Sequence, residues 1–278
     1  AVRRISALGA QSLADLAWAC PRLACGPGHP ALDSLEEALL LSAERLAATI
    51  PASLGRDEWS RYERTVRELQ VVNFRTRATR RLLEGLGVGE APTDFAARAV
   101  ERIRTCVGDV RPAAPGGAGV DTTRVFAYAE YATTRVRVGE GAVDRAPPPG
   151  SASRVDGCLL QESGLRGPSS TPRADGGASW LRAFRLPNAG HVDRALCAEF
   201  QLLGELCRIL VGPARCAEER APQPELVGTV SLFTSMSPCL SCLGAMRQFQ
   251  LLFPEVELET RELDDLPAEG LASQGPPY

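Results

Sequence analysis

Two short runs, Cys197-Ala-Glu199 and Pro238-Cys-Leu-Ser-Cys242, place three thiols and a carboxylate far apart in the chain, and any joint chemistry requires the fold to bring them together. Leu196, Phe200, Leu203, Leu206 and Leu210 recur at helical spacing, so a helix is expected over 194–210, with Cys197 and Glu199 in its first turn and Gly212-Pro213 ending it. Cys239 and Cys242 are three apart and so share one face of a second helix, which begins after Ser237-Pro238. Residues 226–234 read as a strand between the two helices, and 256–260 as another after them. A helix start suits these groups, because its amide dipoles favour thiolate and carboxylate.

A zinc ion held by three protein ligands keeps a fourth position open for water, whose pKa then falls toward neutrality, whereas a closed structural site takes four ligands. The candidates for a fourth ligand, Cys207, Cys216 and His191, have no comparable spacing. Cys197, Cys239 and Cys242 plus water is therefore the better fit, with Glu199 an acid that need not bind metal. Two rival triplets are weaker. Cys216-Ala-Glu218 lies between Gly212-Pro213 and Pro222-Gln-Pro224, where no helix of useful length forms. His191-Val-Asp193 offers a nitrogen ligand but a shorter acid, and it precedes the apolar stripe. His191 is instead read as a loop residue near the pocket and a candidate substrate contact.

These two runs resemble the signature of zinc-dependent nucleobase deaminases, in which ligand-x-Glu on one helix is followed by Pro-Cys-x-x-Cys at the start of another. Cys197 stands where many members carry His, so the metal would see three thiolates. The wider block is most similar to the toxin-type deaminases of bacterial polymorphic toxin systems and their eukaryotic relatives. In that group a run like Arg194-Ala-Leu-Cys-Ala-Glu-Phe-Gln-Leu-Leu203 opens the first helix; here Pro238, Cys239, Ser241 and Cys242 are followed by Gln248-Phe249 and Phe253-Pro254. The resemblance covers about residues 190 to 262, with a weaker match back to about 123.

The resemblance implies zinc on Cys197, Cys239 and Cys242, and hydrolytic deamination in which Glu199 moves protons from the attacking water to the ring nitrogen and the leaving ammonia. It also implies backbone contacts to the base around Ala198 and Ser237. Toxin-type relatives include enzymes acting on nucleic acid, so cytosine in DNA or RNA, converted to uracil, is the expected substrate. A free cytidine or nucleotide deaminase stays open, as does a catalytically silent, zinc-stapled interaction module.

The remainder of the chain supplies the frame. At 278 residues and 44% hydrophobic content it is long enough for two globular domains. It opens on Ala1, which reads as an excerpt or a processed form, so localisation stays open. No apolar run reaches the roughly 18 to 20 residues of a membrane-spanning helix, so a membrane is not an expected partner. Nine cysteines, an odd number without framework spacing, point to a reducing compartment such as cytoplasm or nucleus. Cys20, Cys25, Cys106, Cys158 and Cys207 read as small buried apolar residues.

All 31 basic residues are Arg, which a GC-rich coding background explains without invoking function. A net charge of −3 argues against a nucleic-acid footprint over the whole surface. Residues 1–119 carry 16 Arg against 14 acids and residues 120–278 carry 15 against 20, so the half holding the cysteine runs is acidic.

Residues 1–110 read as a helical bundle and a candidate surface for a protein partner. Leu32, Leu35, Leu39, Leu40 and Leu46 mark one helix, started by Asp33-Ser34 and Glu36-Glu37. A second is expected over about 57–86, with Tyr62, Val66, Leu69, Val72 and Phe74 on one side and mostly Arg on the other. Its eight Arg against four acids over 56–81 either track a phosphate backbone or form a solvated face laced with pairs such as Glu63 and Arg67. The second reading is the simpler. A third helix is expected over about 93–107.

Residues 111–122 gather helix breakers and read as a linker. In 123–266, the deaminase-like domain, strands are expected over 124–131, pairing with 134–138, and over 155–161 and 180–186. Residues 141–153 and 163–178 read as loops framing a substrate entrance, and 267–278 as a flexible tail. The order strand, strand, helix, strand, helix, strand gives an α/β fold with an α/β/α layered sheet.

Overall fold

The computed structural model describes residues 30–69, 77–107, 125–136, 153–164, 180–184, 186, 193–212 and 221–263. Within them lie six α-helices and five strands joined in one mixed sheet. The contacts of the described residues group into two compact units. One comprises the residues up to Val88 with those of Leu181–Ala195 and Ser237–Leu251; the other holds the rest.

In the first unit, α1 (Pro30–Ala47) packs on α2 (Arg56–Leu69) and α3 (Arg77–Gly85). Leu39, Ala43 and Leu46 of α1 are buried, four and three residues apart, as a helix with one apolar stripe requires. Trp59, Tyr62, Val66 and Leu69 form the matching stripe of α2. In the Arg-rich stretch, Arg67 pairs with Glu63 at 3.3 Å, one helical turn apart as the spacing implied, and Arg81 with Glu84 at 3.3 Å, while Arg45 of α1 reaches Glu68 of α2 at 2.6 Å. Such exposed pairs contribute about 1 kcal/mol or less each. The stretch expected to be one helix over 57–86 is helical over Arg56–Leu69 and Arg77–Gly85, and Val72 and Phe74 lie outside the described residues.

The sheet of the second unit has the order β1-β5-β4-β2-β3. Its strands are β1 (Gly89–Glu90), β2 (Phe126–Arg135), β3 (Ser153–Glu162), β4 (Leu226–Thr234) and β5 (Val256–Glu262). β2 is antiparallel to both β3 and β4, whereas β5 is parallel to β4 and to β1. Successive residues of β2 alternate bulky and small, which gives its two faces different uses. Phe126 and Tyr128 pack with Phe233 of β4 against Phe95, Ala99 and Ile103 of α4 (Thr93–Val107). Ala127 and Ala129, fully buried, lie on the alternate face, where Gln161, opposite Ala127 on β3, donates to Gln201 of α5 (Ala198–Val211) at 3.3 Å. Small side chains at these positions let a helix approach the strand closely.

Gly228 fixes the β2–β4 register. It sits at φ +143° opposite Thr133, and a Cβ there would lie 2.1 Å from the carbonyl oxygen of Ala132. Only glycine permits that approach.

Several expectations are corrected. Residues 134–138 do not form a separate strand paired with 124–131, because β2 continues without a turn through Arg135. Residues 180–184 are irregular, not a strand. The helix expected from 194 begins at Ala198, after a single 3₁₀ turn over Arg194–Leu196. The helix at Thr93, read with the N-terminal bundle, packs on the sheet, and the two-residue β1 joins the sheet beside β5. Cys207 is buried as expected, whereas Cys106 and Cys158 are exposed, at the end of α4 and on edge strand β3. The linker, both proposed entrance loops apart from residues 153, 163 and 164, and the tail lie outside the described residues, as do Cys20 and Cys25.

Candidate metal centre

Cys197 is the N-cap of α5, with extended backbone at φ −64° and ψ 137°, and its carbonyl accepts the first helical hydrogen bond from the Gln201 amide at 3.0 Å. Its side chain makes no capping bond, so the helix itself does not need a cysteine there. The preceding turn is pinned from two sides. The carbonyl of Leu196 accepts from the Gly164 amide at 3.0 Å and from the Gln201 side chain at 3.1 Å. Leu203 and Leu206 of the same helix are fully buried, contributing about 1.5–3 kcal/mol each by burial and anchoring that start.

Glu199 lies in the first turn of α5 and is only 4% exposed. Ala198, the first helical residue, is fully buried. Burying a carboxylate costs several kcal/mol unless its charge is compensated, and the helix N-terminus is a favourable place for it.

Cys239 and Cys242 begin the other motif helix, α6 (Leu240–Leu252). Both are buried, and their sulfur atoms are 3.5 Å apart. Cys239 repeats the position of Cys197: its carbonyl accepts from the Leu243 amide at 3.0 Å. Ser237 is half-buried just before it. The aromatic ring of Tyr62 lies close by, with its hydroxyl donating to the carbonyl of Leu240 at 3.4 Å. Burial pushes the Tyr62 hydroxyl well above its ordinary pKa, and the neighbouring Cys239 adds to the shift.

The sulfur atoms of Cys197, Cys239 and Cys242 all lie within 4.8 Å of one another. None of the three is in a disulfide. Tetrahedral Zn–S bonds of about 2.3 Å put neighbouring sulfurs about 3.8 Å apart, so the spacing fits a three-thiolate metal site. The donor set also fits: soft thiolates at two helix starts select zinc or another thiophilic ion over calcium or magnesium. The three cysteines can hold a metal ion, and they are the one such cluster of His, Cys, Asp and Glu among the described residues.

The rival triplets are placed only in part. Cys216, Glu218 and His191 lie outside the described residues. Asp193 is exposed, and its carboxylate accepts from the Ala195 amide at 3.0 Å, capping the 3₁₀ turn. No helix among the described residues is long and apolar enough to cross a membrane.

Ser241 and Gln248, which sequence reading noted only as parts of a motif, have structural work. The Ser241 hydroxyl accepts from the Phe184 amide at 3.0 Å. Gln248 accepts from the Arg182 amide at 2.8 Å and donates to the Arg182 carbonyl at 2.9 Å, in the manner of a strand neighbour. Together they strap residues 182–184 to α6. Tyr62 was legible only as a member of its helix's apolar stripe, since nothing in the local pattern sets it apart from Trp59 and Val66. The chain matches no protein-family profile, no curated protein and no solved structure at significant similarity.

Proposed function

We propose that the protein is a zinc-dependent hydrolytic deaminase of a nucleobase, converting cytosine to uracil in DNA or RNA. The observation that carries this reading is the three-thiol cluster with a buried carboxylate, Glu199, two residues from Cys197. A zinc ion that only staples the fold has no need of a buried acid beside a ligand, whereas hydrolysis needs a proton carrier there.

Cys197, Cys239 and Cys242 would hold the metal. When bound, zinc supplies Lewis acidity and lowers the pKa of a water molecule toward neutrality. A carboxylate oxygen of Glu199 accepts a proton as water attacks the ring carbon bearing the amino group. It passes that proton to the ring nitrogen, then takes the second proton from the hydroxyl now on the ring carbon and gives it to the amino group, which leaves as ammonia while the C–O bond becomes the carbonyl, so the carboxylate is regenerated. The backbone at Ala198 and Ser237 contacts the base. Ala198 is the first residue of α5, where a helix amide has no intrahelical partner. The mixed five-stranded sheet is compatible with the α/β fold that this reading requires. Similarity to toxin-type deaminases favours a polymer over a free nucleoside.

The test is to incubate the zinc-loaded chain and its Glu199→Ala variant with single- and double-stranded DNA, RNA, free cytidine and free adenosine, and to measure base conversion. Conversion of cytosine in one of the polymers by the parent and not by the variant is expected. Conversion of free cytidine alone would move the reading to nucleoside deamination, and none from folded, zinc-loaded protein would reject deamination.

A further inference from the structure

The two residues between Cys239 and Cys242 are each held from outside their own helix. Leu240 receives the Tyr62 hydroxyl on its carbonyl, and Ser241 receives the Phe184 amide on its hydroxyl. Tyr62 and Phe184 also touch each other, edge to face, with ring centroids 6.0 Å apart. Trp59, one turn before Tyr62, stacks on Phe184 at 5.4 Å with an interplanar angle of 14°. The Trp59 indole N–H is itself fixed, donating to the Ser53 carbonyl at 2.9 Å.

Other contacts hold the same parts together. Arg247 of α6 donates to the Pro51 carbonyl at 2.7 Å, and Glu63 pairs with Arg182 at 3.2 Å. Gly244 completes the arrangement: a Cβ there would fall 2.4 Å from Cε2 of Phe184, so glycine lets the ring lie against α6 two residues beyond Cys242. A helix interior ordinarily disfavours glycine, and this contact accounts for it.

We infer that Tyr62 is a positioning residue of the metal centre: through the Leu240 carbonyl and the Phe184 ring it sets the orientation of the Cys239–Cys242 turn. The inference rests on reading the cysteine cluster as a zinc site. It makes α2 part of that site's support. Outer partners that orient metal ligands typically change affinity about 10–100-fold when removed.

The experiment uses the full chain. Zinc affinity is measured by competition with a chromophoric chelator, the thiolate-to-cobalt absorption bands of the Co(II)-substituted protein are recorded, and the metal-free protein is melted. Tyr62→Phe keeps the ring and removes only the hydroxyl. Thr65→Val, which removes another buried hydroxyl from the same helix, one that donates to the Arg61 carbonyl, is the control. Tyr62→Phe is expected to weaken zinc binding about tenfold and shift the cobalt bands, while Thr65→Val leaves both unchanged whatever it does to the melt. Parent-like affinity and bands in Tyr62→Phe, or equal loss in Thr65→Val, would overturn the positioning role and leave the zinc reading standing. A parent protein that binds neither zinc nor cobalt through its thiols would overturn both.

Discussion

Cys197 and Cys239 hold the same place relative to two different helices. Each immediately precedes the first helical residue, and each gives its carbonyl to the amide four residues on, Gln201 and Leu243, at 3.0 Å. Both thiols therefore sit at the positive end of a helix dipole, which favours the ionised form that binds metal.

Cys197→Ser separates the helix from the metal. Serine is a better N-cap than cysteine, and Cys197 makes no capping bond to lose. The metal-free variant should be unchanged or more stable by up to about 1 kcal/mol in urea titrations. Its zinc affinity should fall by more than about 100-fold, because losing a ligand costs more than losing a partner that orients one.

Glu199→Gln replaces a buried carboxylate with an amide of the same shape. If Glu199 carries protons and does not hold metal, zinc stoichiometry and affinity stay at the parent value. Deamination should slow by about 100-fold or more, the usual contribution of a general acid–base group. Loss of zinc from this variant would instead make Glu199 a ligand or an essential part of the fold.

Gly244→Ala sets two effects against each other. Helix propensity alone would stabilise by about 1 kcal/mol. The new methyl would meet the Phe184 ring at 2.4 Å, and overpacking of this kind costs about 1–3 kcal/mol or more. Phe184 is held by both Trp59 and Ser241 and has little freedom to retreat, so net destabilisation is expected. Chemical denaturation measures the sign directly.

Arg98 binds two carboxylates, Glu130 through both oxygens at 3.2 and 2.8 Å and Asp94 at 2.7 Å. Its hydrogen bonds hold both acids below their ordinary values of 4.5 and 3.8. A depressed folded pKa stabilises above the unfolded value and is lost as pH falls through the folded one. Stability should therefore decline from about pH 4.5 downward, and Arg98→Met should flatten that part of the profile in urea titrations at pH 3 to 7. Arg98 and Asp94 are mostly exposed and Glu130 is half-buried, so solvent screening keeps the effect small.

Legibility followed the range of the interactions. β4 occupies 226–234 as its apolar run implied, and β3 and β5 each extend the expected strand by one or two residues at their ends. These elements carry their own periodicity. Residues 180–184 misled because Trp180, Leu181 and Phe184 are buried like a strand's apolar residues, yet the hydrogen bonds of Arg182 and Phe184 go to the side chains of Gln248 and Ser241 and not to a neighbouring strand. β1 is two residues long, too short to leave a period, and exists because β5 offers an edge. The expected division of 134–138 from 124–131 failed for a related reason: pairing with both β3 and β4 keeps β2 extended through Arg135.

By itself the sequence determined the mixed α/β character, the two motif helices and the four residues placed at their starts, because helical spacing, capping position and helix breakers act over a few residues. Tertiary structure alone decided that three thiols from two helix starts lie within 4.8 Å, that α4 covers the Phe126 face of the sheet, and that Tyr62 reaches the turn between Cys239 and Cys242. Those contacts join residues tens to more than a hundred positions apart, and side-chain packing in three dimensions, not any local period, selects them.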